Sequence, residues 1–167
     1  MRSDDFRPRD YPVEDDIAFQ RKLWKLERVG WLLLLGLMVL ALLGLFSRGP
    51  LSTQQRLTAD EALQLRYQRF QRQDASDTLQ VTLRGAPGEI RHLLLEAPFF
   101  DTYNIETIQP QPLAAASEHG GLKLTVRLDP GGQASVHFGL RPQQIGPVHH
   151  RVRAGNQQLT FWQFIYP

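Results

Sequence analysis

The sequence predicts an all-β domain, an immunoglobulin-like antiparallel β-sandwich of about seven or eight strands, that follows one N-terminal transmembrane α-helix. Two observations carry this prediction. Residues 29–47 read VGWLLLLGLMVLALLGLFS and contain no charged side chain. From residue 62 onward, short segments alternate apolar and polar residues between clusters of Gly, Pro, Asn and Asp. That alternation is typical of strands buried on one face.

The apolar stretch 29–47 has the length of a membrane span. As a helix it measures about 28 Å, close to the hydrocarbon thickness of a bilayer of about 30 Å. A cleaved signal peptide is the main alternative, but 28 residues precede the stretch and Pro50 blocks the obvious cleavage after Gly49. We therefore expect an uncleaved anchor.

The flanking charges predict the orientation of this anchor. Four basic residues lie within ten residues before it: Arg21, Lys22, Lys25 and Arg28. Only Arg48 and Arg56 lie equally close after it. The positive-inside rule then places residues 1–28 in the cytoplasm and residues 48–167 outside it, so the predicted location is a membrane with the domain on its periplasmic or extracellular side.

Three further segments complete the predicted organisation. Residues 1–28 form a cytoplasmic arm whose second half is a basic juxtamembrane helix capped by Asp15 or Asp16. The predicted membrane-interface residues are those of this helix and the first tryptophan of the apolar stretch: Arg21, Lys22, Trp24, Lys25, Arg28 and Trp31. These side chains bind anionic lipid or only fix the topology. Residues 48–61 are a polar linker, and residues 62–167 are the β domain.

The start of the β domain is ambiguous. Thr58 and Glu61 have the spacing of a helix-capping box, whereas residues 63–68 alternate as in a strand. We favour the strand, because the segments that follow are all β. Further along, residues 122–128 and 134–140 alternate on either side of Asp-Pro-Gly-Gly and predict a hairpin. The last strand, 159–166, has aromatic residues on both faces, which predicts a central position.

Three short motifs resemble those of a group of single-pass proteins of bacterial inner membranes. They are GLFSRGPLS at 44–52, LRYQRF at 65–70 and FIYP at 164–167. The resemblance implies an outward-facing β-sandwich on one anchor and implies no particular activity.

The composition excludes several classes of function. The chain has no cysteine, so thiol catalysis and cysteine-ligated metals are excluded, and its net charge of +2 does not predict a nucleic-acid-binding surface. The weak candidates for a metal site are His137, His149 and His150. His149 and His150 are adjacent and point to opposite faces of a strand, so at most one of them could share an ion with His137 across a strand.

The sequence does not predict an enzyme, a cofactor or a small-molecule substrate. Ser117, Glu118 and His119 have the residue types of a catalytic triad but lie together in a loop without an elbow motif. The glycine pairs join strands and do not open a helix, so no phosphate-binding loop is expected.

Two functions remain. The first is a membrane-anchored interaction module whose sandwich docks on another envelope or membrane protein. The second is a structural subunit that assembles with a multi-pass partner through residues 29–47. The candidate docking residues are Phe99, Phe100 and Tyr103, three aromatics within five residues of a predicted loop. The alternative is that Phe99 or Phe100 closes the end of the sandwich while Tyr103 begins a strand.

Overall fold

The structure is a computed structural model that describes residues 17–43, 49 and 51–167. The predicted arm before residue 17, its capping aspartates, and residues 44–48 and 50 lie outside the described residues. The chain divides into two compact units, residues 1–39 and 40–167.

The first unit contains all but the last three residues of helix α1, Ile17–Leu42. Among the residues that the structure describes, no helix is both long enough and apolar enough to cross a membrane. Fourteen residues of the predicted span, 29–42, lie in α1 and measure about 21 Å. Lys25, Glu27 and Arg28 precede them directly. The prediction of a membrane span over 29–47 is therefore not confirmed.

The second unit is a β-sandwich of eleven strands in two sheets. The strands are β1 (Thr53–Leu57), β2 (Leu63–Gln68), β3 (Phe70–Arg72), β4 (Asp77–Arg84), β5 (Ile90–Leu95), β6 (Tyr103–Gln109), β7 (Ala114–Glu118), β8 (Gly121–Arg127), β9 (Gln133–Pro142), β10 (Gly146–Ala154) and β11 (Gln157–Tyr166). A short helix, α2 (Pro98–Thr102), connects β5 to β6. The first sheet has the order β1-β2-β4-β9-β6 and the second the order β3-β11-β10-β5-β8-β7.

The structure confirms a two-sheet β-sandwich, but its strands differ in number and direction from the predicted immunoglobulin-like antiparallel arrangement. There are eleven strands instead of seven or eight, and β3 runs parallel to β11, so the sheets are not purely antiparallel. β1 lies inside the predicted linker 48–61. The strand interpretation of residues 63–68 is confirmed by β2, in which Leu63, Leu65 and Tyr67 are buried.

The predicted hairpin between residues 122–128 and 134–140 is wrong. β8 pairs with β5 in the second sheet, and β9 pairs with β4 in the first, so Asp129–Gly132 crosses from one sheet to the other. The turn from β4 to β5 crosses in the same way, and the two crossings are joined by a hydrogen bond from the Gly85 amide to the Gly132 carbonyl, 2.9 Å. A Cβ on Gly132 would lie 2.4 Å from the Gly85 carbonyl oxygen, which explains why glycine is needed there.

The inward faces of both sheets form one core. In the first sheet, strands β2, β4 and β9 contribute alternate buried residues. Strands β5, β8, β10 and β11 do the same from the second sheet. The largest buried side chains include Tyr67, Phe99, Phe138 and a set of leucines. Burial of this much apolar surface is the main source of the stability of the sandwich.

Candidate interaction surface

The predicted docking residues lie mostly in the core. α2 turns Phe99 inward, where it is 1% exposed, and Tyr103 begins β6 at 2% exposure. Phe100 is the exception, at 37% exposure. Phe99 and Tyr103 are therefore not available for docking. They fit the alternative, in which this segment closes one end of the sandwich and Tyr103 begins a strand.

Tyr103 is held by a buried chain of polar groups. Its hydroxyl lies 2.7 Å from Oε1 of Gln71 and 2.8 Å from Oε1 of Gln163. The Gln163 amide donates to the carbonyl of Gln68 at 2.8 Å, and the Gln71 amide donates to the carboxylate of Asp77. Burial raises the pKa of Tyr103 far above its usual range. The hydroxyl is thus a structural group that ties β6 to the second sheet.

His150 lies beside Phe99 in a box of aromatic rings. Its ring centroid is 5.1 Å from that of Phe99, 5.2 Å from that of Tyr103 and 5.6 Å from that of Phe161. Both ring nitrogens are buried and lack a hydrogen-bond partner among the described residues. Burial, with a smaller effect from the neighbouring His149, lowers the pKa of His150 to about 4. The imidazole is therefore neutral near pH 7.

The three histidines suggested as metal ligands are divided between the two sheets. His137 is exposed on β9 in the first sheet, whereas His149 and His150 belong to β10 in the second. As expected, the two neighbours point to opposite faces, His149 outward and His150 inward. No group of three or more metal-ligating side chains occurs within the described part of the chain.

The predicted membrane-interface residues lie on α1. Lys22, Trp24, Lys25, Arg28 and Trp31 are all exposed, and the Arg28 guanidinium lies 3.9 Å from the ring centroid of Trp24. The side chain of Arg21 lies outside the described residues. Large apolar side chains are exposed on the same helix, among them Leu26 at 69% and Leu32 at 68%.

An aromatic surface that the sequence analysis did not identify lies on the outer face of the second sheet. We call it the aromatic cluster, and it consists of Phe70, Trp162, Phe164 and Tyr166. On β11 these side chains alternate with Phe161, Gln163 and Ile165, which are buried in the core. The outer set is half-buried, since no third layer covers it in the described residues.

The rings of the aromatic cluster pack against one another. Phe70 meets Trp162 edge to face at a centroid distance of 6.5 Å, and Phe164 meets Tyr166 in the same manner at 4.9 Å. The Arg69 guanidinium lies 4.8 Å from the ring centroid of Trp162. Ser52 fixes the neighbouring backbone, because its hydroxyl accepts from the Phe70 amide at 3.1 Å. The cluster is thus built on rigid strands.

The position of β11 explains why this surface was missed. Its aromatics on both faces predicted a central strand covered on both sides, but β11 lies second from the edge, beside the three-residue β3. The alternation of two sets of large side chains was visible in the sequence. The sequence did not show whether a third layer of structure covers the outer set.

The outer faces of the two sheets differ in composition. The outer face of the first sheet carries the exposed Arg66 among mainly uncharged polar side chains, which are Gln64, Gln68, Thr78, Gln80, Thr82, Ser135 and His137. Two of its arginines are neutralised, Arg84 by Glu61 at 2.9 Å and Arg141 by Glu106 at 2.6 Å. Beyond the aromatic cluster, the outer face of the second sheet carries five cationic side chains: Arg72, Lys123, Arg127, Arg151 and Arg153.

The comparisons with known proteins concern the sandwich. No protein-family model matches the sequence, and no curated protein matches it. The chain is similar in structure to a cohesin module from a family 33 glycoside hydrolase of Clostridium perfringens, with a TM-score of 0.41 and 10% identity over 69% of this chain and 97% of that one. It is also similar to a β-glucosidase from Listeria innocua, with a TM-score of 0.38 and 14% identity over 73% of this chain and 17% of that one. Both TM-scores lie below 0.5, so neither likeness assigns a ligand or a partner to this chain.

Proposed function

We propose that the protein is an interaction module that docks on another protein through the aromatic cluster. The observation that supports this most is the row of large aromatic side chains on the outer face of β11, opposite the residues of the same strand that are buried in the core. Tryptophan, tyrosine and arginine are the residues that contribute most to binding energy at protein interfaces. The outer face of the first sheet has no such cluster, which gives the module one docking side.

The location we propose is the bacterial inner membrane, with the N-terminus in the cytoplasm and the sandwich outside. The support is the uncharged stretch 29–47, the basic residues before it and the exposed leucines of α1. In this arrangement lipid covers those leucines. The alternative function, a structural subunit, uses the same stretch as a contact for a membrane partner.

Site-specific photo-crosslinking in cells tests the docking surface. A photoreactive phenylalanine is placed at position 162 in the aromatic cluster, at position 137 on the first sheet as the matched control, and at position 37 in the apolar stretch. We expect a discrete protein adduct from position 162 and none from position 137. An adduct from position 37 alone would instead support the structural subunit, and equal adducts from 162 and 137 would contradict a single docking side.

Fractionation and protease treatment of the same cells test the proposed location. The protein is expected in the inner-membrane fraction, with the sandwich accessible to protease added to spheroplasts. Recovery in the soluble fraction would contradict the membrane proposal and leave the docking proposal standing.

A further inference from the structure

We propose that the partner presents an acidic polypeptide segment, which contacts the aromatic cluster and continues across β10 to β8 along the basic residues of the same face. This inference rests on the proposed docking function and names the chemistry of its partner. It is carried by the register of the second sheet and by the charges on its outer face.

The strand register places Arg151, Arg153 and Lys123 in one continuous band, and Arg127 lies four residues further along β8, opposite Ile90. Arg151 lies opposite Thr160 and Arg153 opposite Gln158 on β11, next to the strand that carries Trp162. Across β5, Arg153 pairs with Leu94 and Leu94 pairs with Lys123. At about 4.8 Å per strand, the band from β11 to β8 measures about 14 Å. An extended segment of roughly five residues has this length.

The band has an excess of positive charge. Two of its cations have a carboxylate partner, Arg151 with Glu96 at 3.5 Å and Lys123 with Glu118 at 2.7 Å. Arg127 and Arg153 have no carboxylate within 4 Å among the described residues. A face with an excess of positive charge favours a partner of opposite charge, and the attraction also accelerates encounter.

Arg69 extends the excess charge to the aromatic cluster itself. Its guanidinium donates to Oε1 of Gln54 at 3.3 Å, but its Nε is buried without a hydrogen-bond partner among the described residues. No carboxylate lies within 4 Å of this guanidinium among the described residues, so its positive charge adds to that of the band. The cluster and the band therefore favour the same acidic partner.

Two features favour a polypeptide over a nucleic acid. The rings of the aromatic cluster meet at steep angles, 85° for Phe70 and Trp162 and 65° for Phe164 and Tyr166, so they do not form a flat platform for stacked bases. Glu96 and Glu118 interrupt the basic band by pairing with Arg151 and Lys123, so its unpaired cations stand apart and suit the separate carboxylates of a polypeptide better than a continuous phosphate backbone.

Binding of labelled poly-L-glutamate to the purified full chain tests the inference, with duplex DNA and vesicles of anionic lipid as comparison probes. The variant is Arg127→Glu with Arg153→Glu. The matched control, Arg56→Glu with Arg66→Glu, makes the same change in net charge on two exposed residues of the first sheet. We expect poly-L-glutamate to bind, to weaken with added salt, and to lose about tenfold in affinity in the variant but not in the control.

The crosslinking assay separates failure of this inference from failure of the proposed function. We also expect the adduct from position 162 to decrease in the Arg127→Glu, Arg153→Glu variant. An adduct that is insensitive to this change, or binding of DNA or vesicles without binding of poly-L-glutamate, would overturn the acidic partner while the docking function stands. Absence of any adduct from position 162 would overturn both.

Discussion

Replacing Phe99 with alanine is expected to lower the free energy of unfolding of the sandwich by about 3–5 kcal/mol. Phe99 is 1% exposed, and its ring lies 4.9 Å from that of Tyr103 and 5.1 Å from that of His150. Removing the ring leaves a cavity at the end of the core, because α2 is a single short helix that cannot collapse into the space. Urea unfolding of the fragment 49–167 measures the change.

The adjacent Phe100 is the matched control. It is 37% exposed, and Phe100→Ala is expected to cost about 1 kcal/mol or less. Equal costs for the two substitutions would show that α2 does not close the core through Phe99. In that case the docking interpretation of this segment would have to be considered again.

Acidification is expected to destabilise the sandwich through His150 between about pH 6.5 and pH 4. Burial lowers the pKa of His150 to about 4, while the unfolded chain binds the proton at about 6.5. The stability contributed by the neutral imidazole is complete above the unfolded pKa and is lost as the pH falls toward the folded one. The full loss is about 3 kcal/mol.

A His150→Phe variant isolates this effect. Phenylalanine keeps an aromatic ring in the box and removes both unpartnered nitrogens, so we expect the variant to lose little stability between pH 6.5 and pH 5. His137→Phe, on an exposed residue of β9, is the control and should retain the slope of the wild type. Unfolding free energies measured across this range provide the comparison, and an unchanged slope in His150→Phe would contradict the assignment.

The sequence predicts which strands have a buried face but not how they pair. The alternation in β8 and β9 correctly indicates inward side chains at Leu124 and Val136. It does not indicate which sheet each strand joins, because Asp-Pro-Gly-Gly fits both a hairpin and a crossing between sheets. The pairing depends on contacts such as that between Gly85 and Gly132, which are distant in the sequence.

Strands at the edges of a sheet leave the weakest signal. β7 has the sequence AAASE and is exposed along almost its whole length, so no apolar face marks it as a strand. β1 is similar, with TQQRL inside the predicted linker. Edge strands are held by backbone pairing on one side only, and their side chains need not alternate.

The sequence analysis predicted that aromatic residues form the candidate site, but it placed them in the wrong part of the chain. Aromatic residues in a loop indicated a docking surface, but Phe99 and Tyr103 complete the core, as the chain has few other side chains to close that end. The aromatics that we propose for docking lie instead on β11, where alternation already placed Trp162 and Phe164 on the face opposite the core.

Hydroxyl-radical oxidation of the full chain, compared between living cells and purified protein, tests the central claim most directly. If a partner covers the aromatic cluster, Trp162 and Phe164 should oxidise several-fold more slowly in cells than in the purified protein, while the exposed Phe100 oxidises at the same rate in both. Equal rates for Trp162 and Phe164 in the two samples would show that nothing docks on this face, and the proposed function would be wrong.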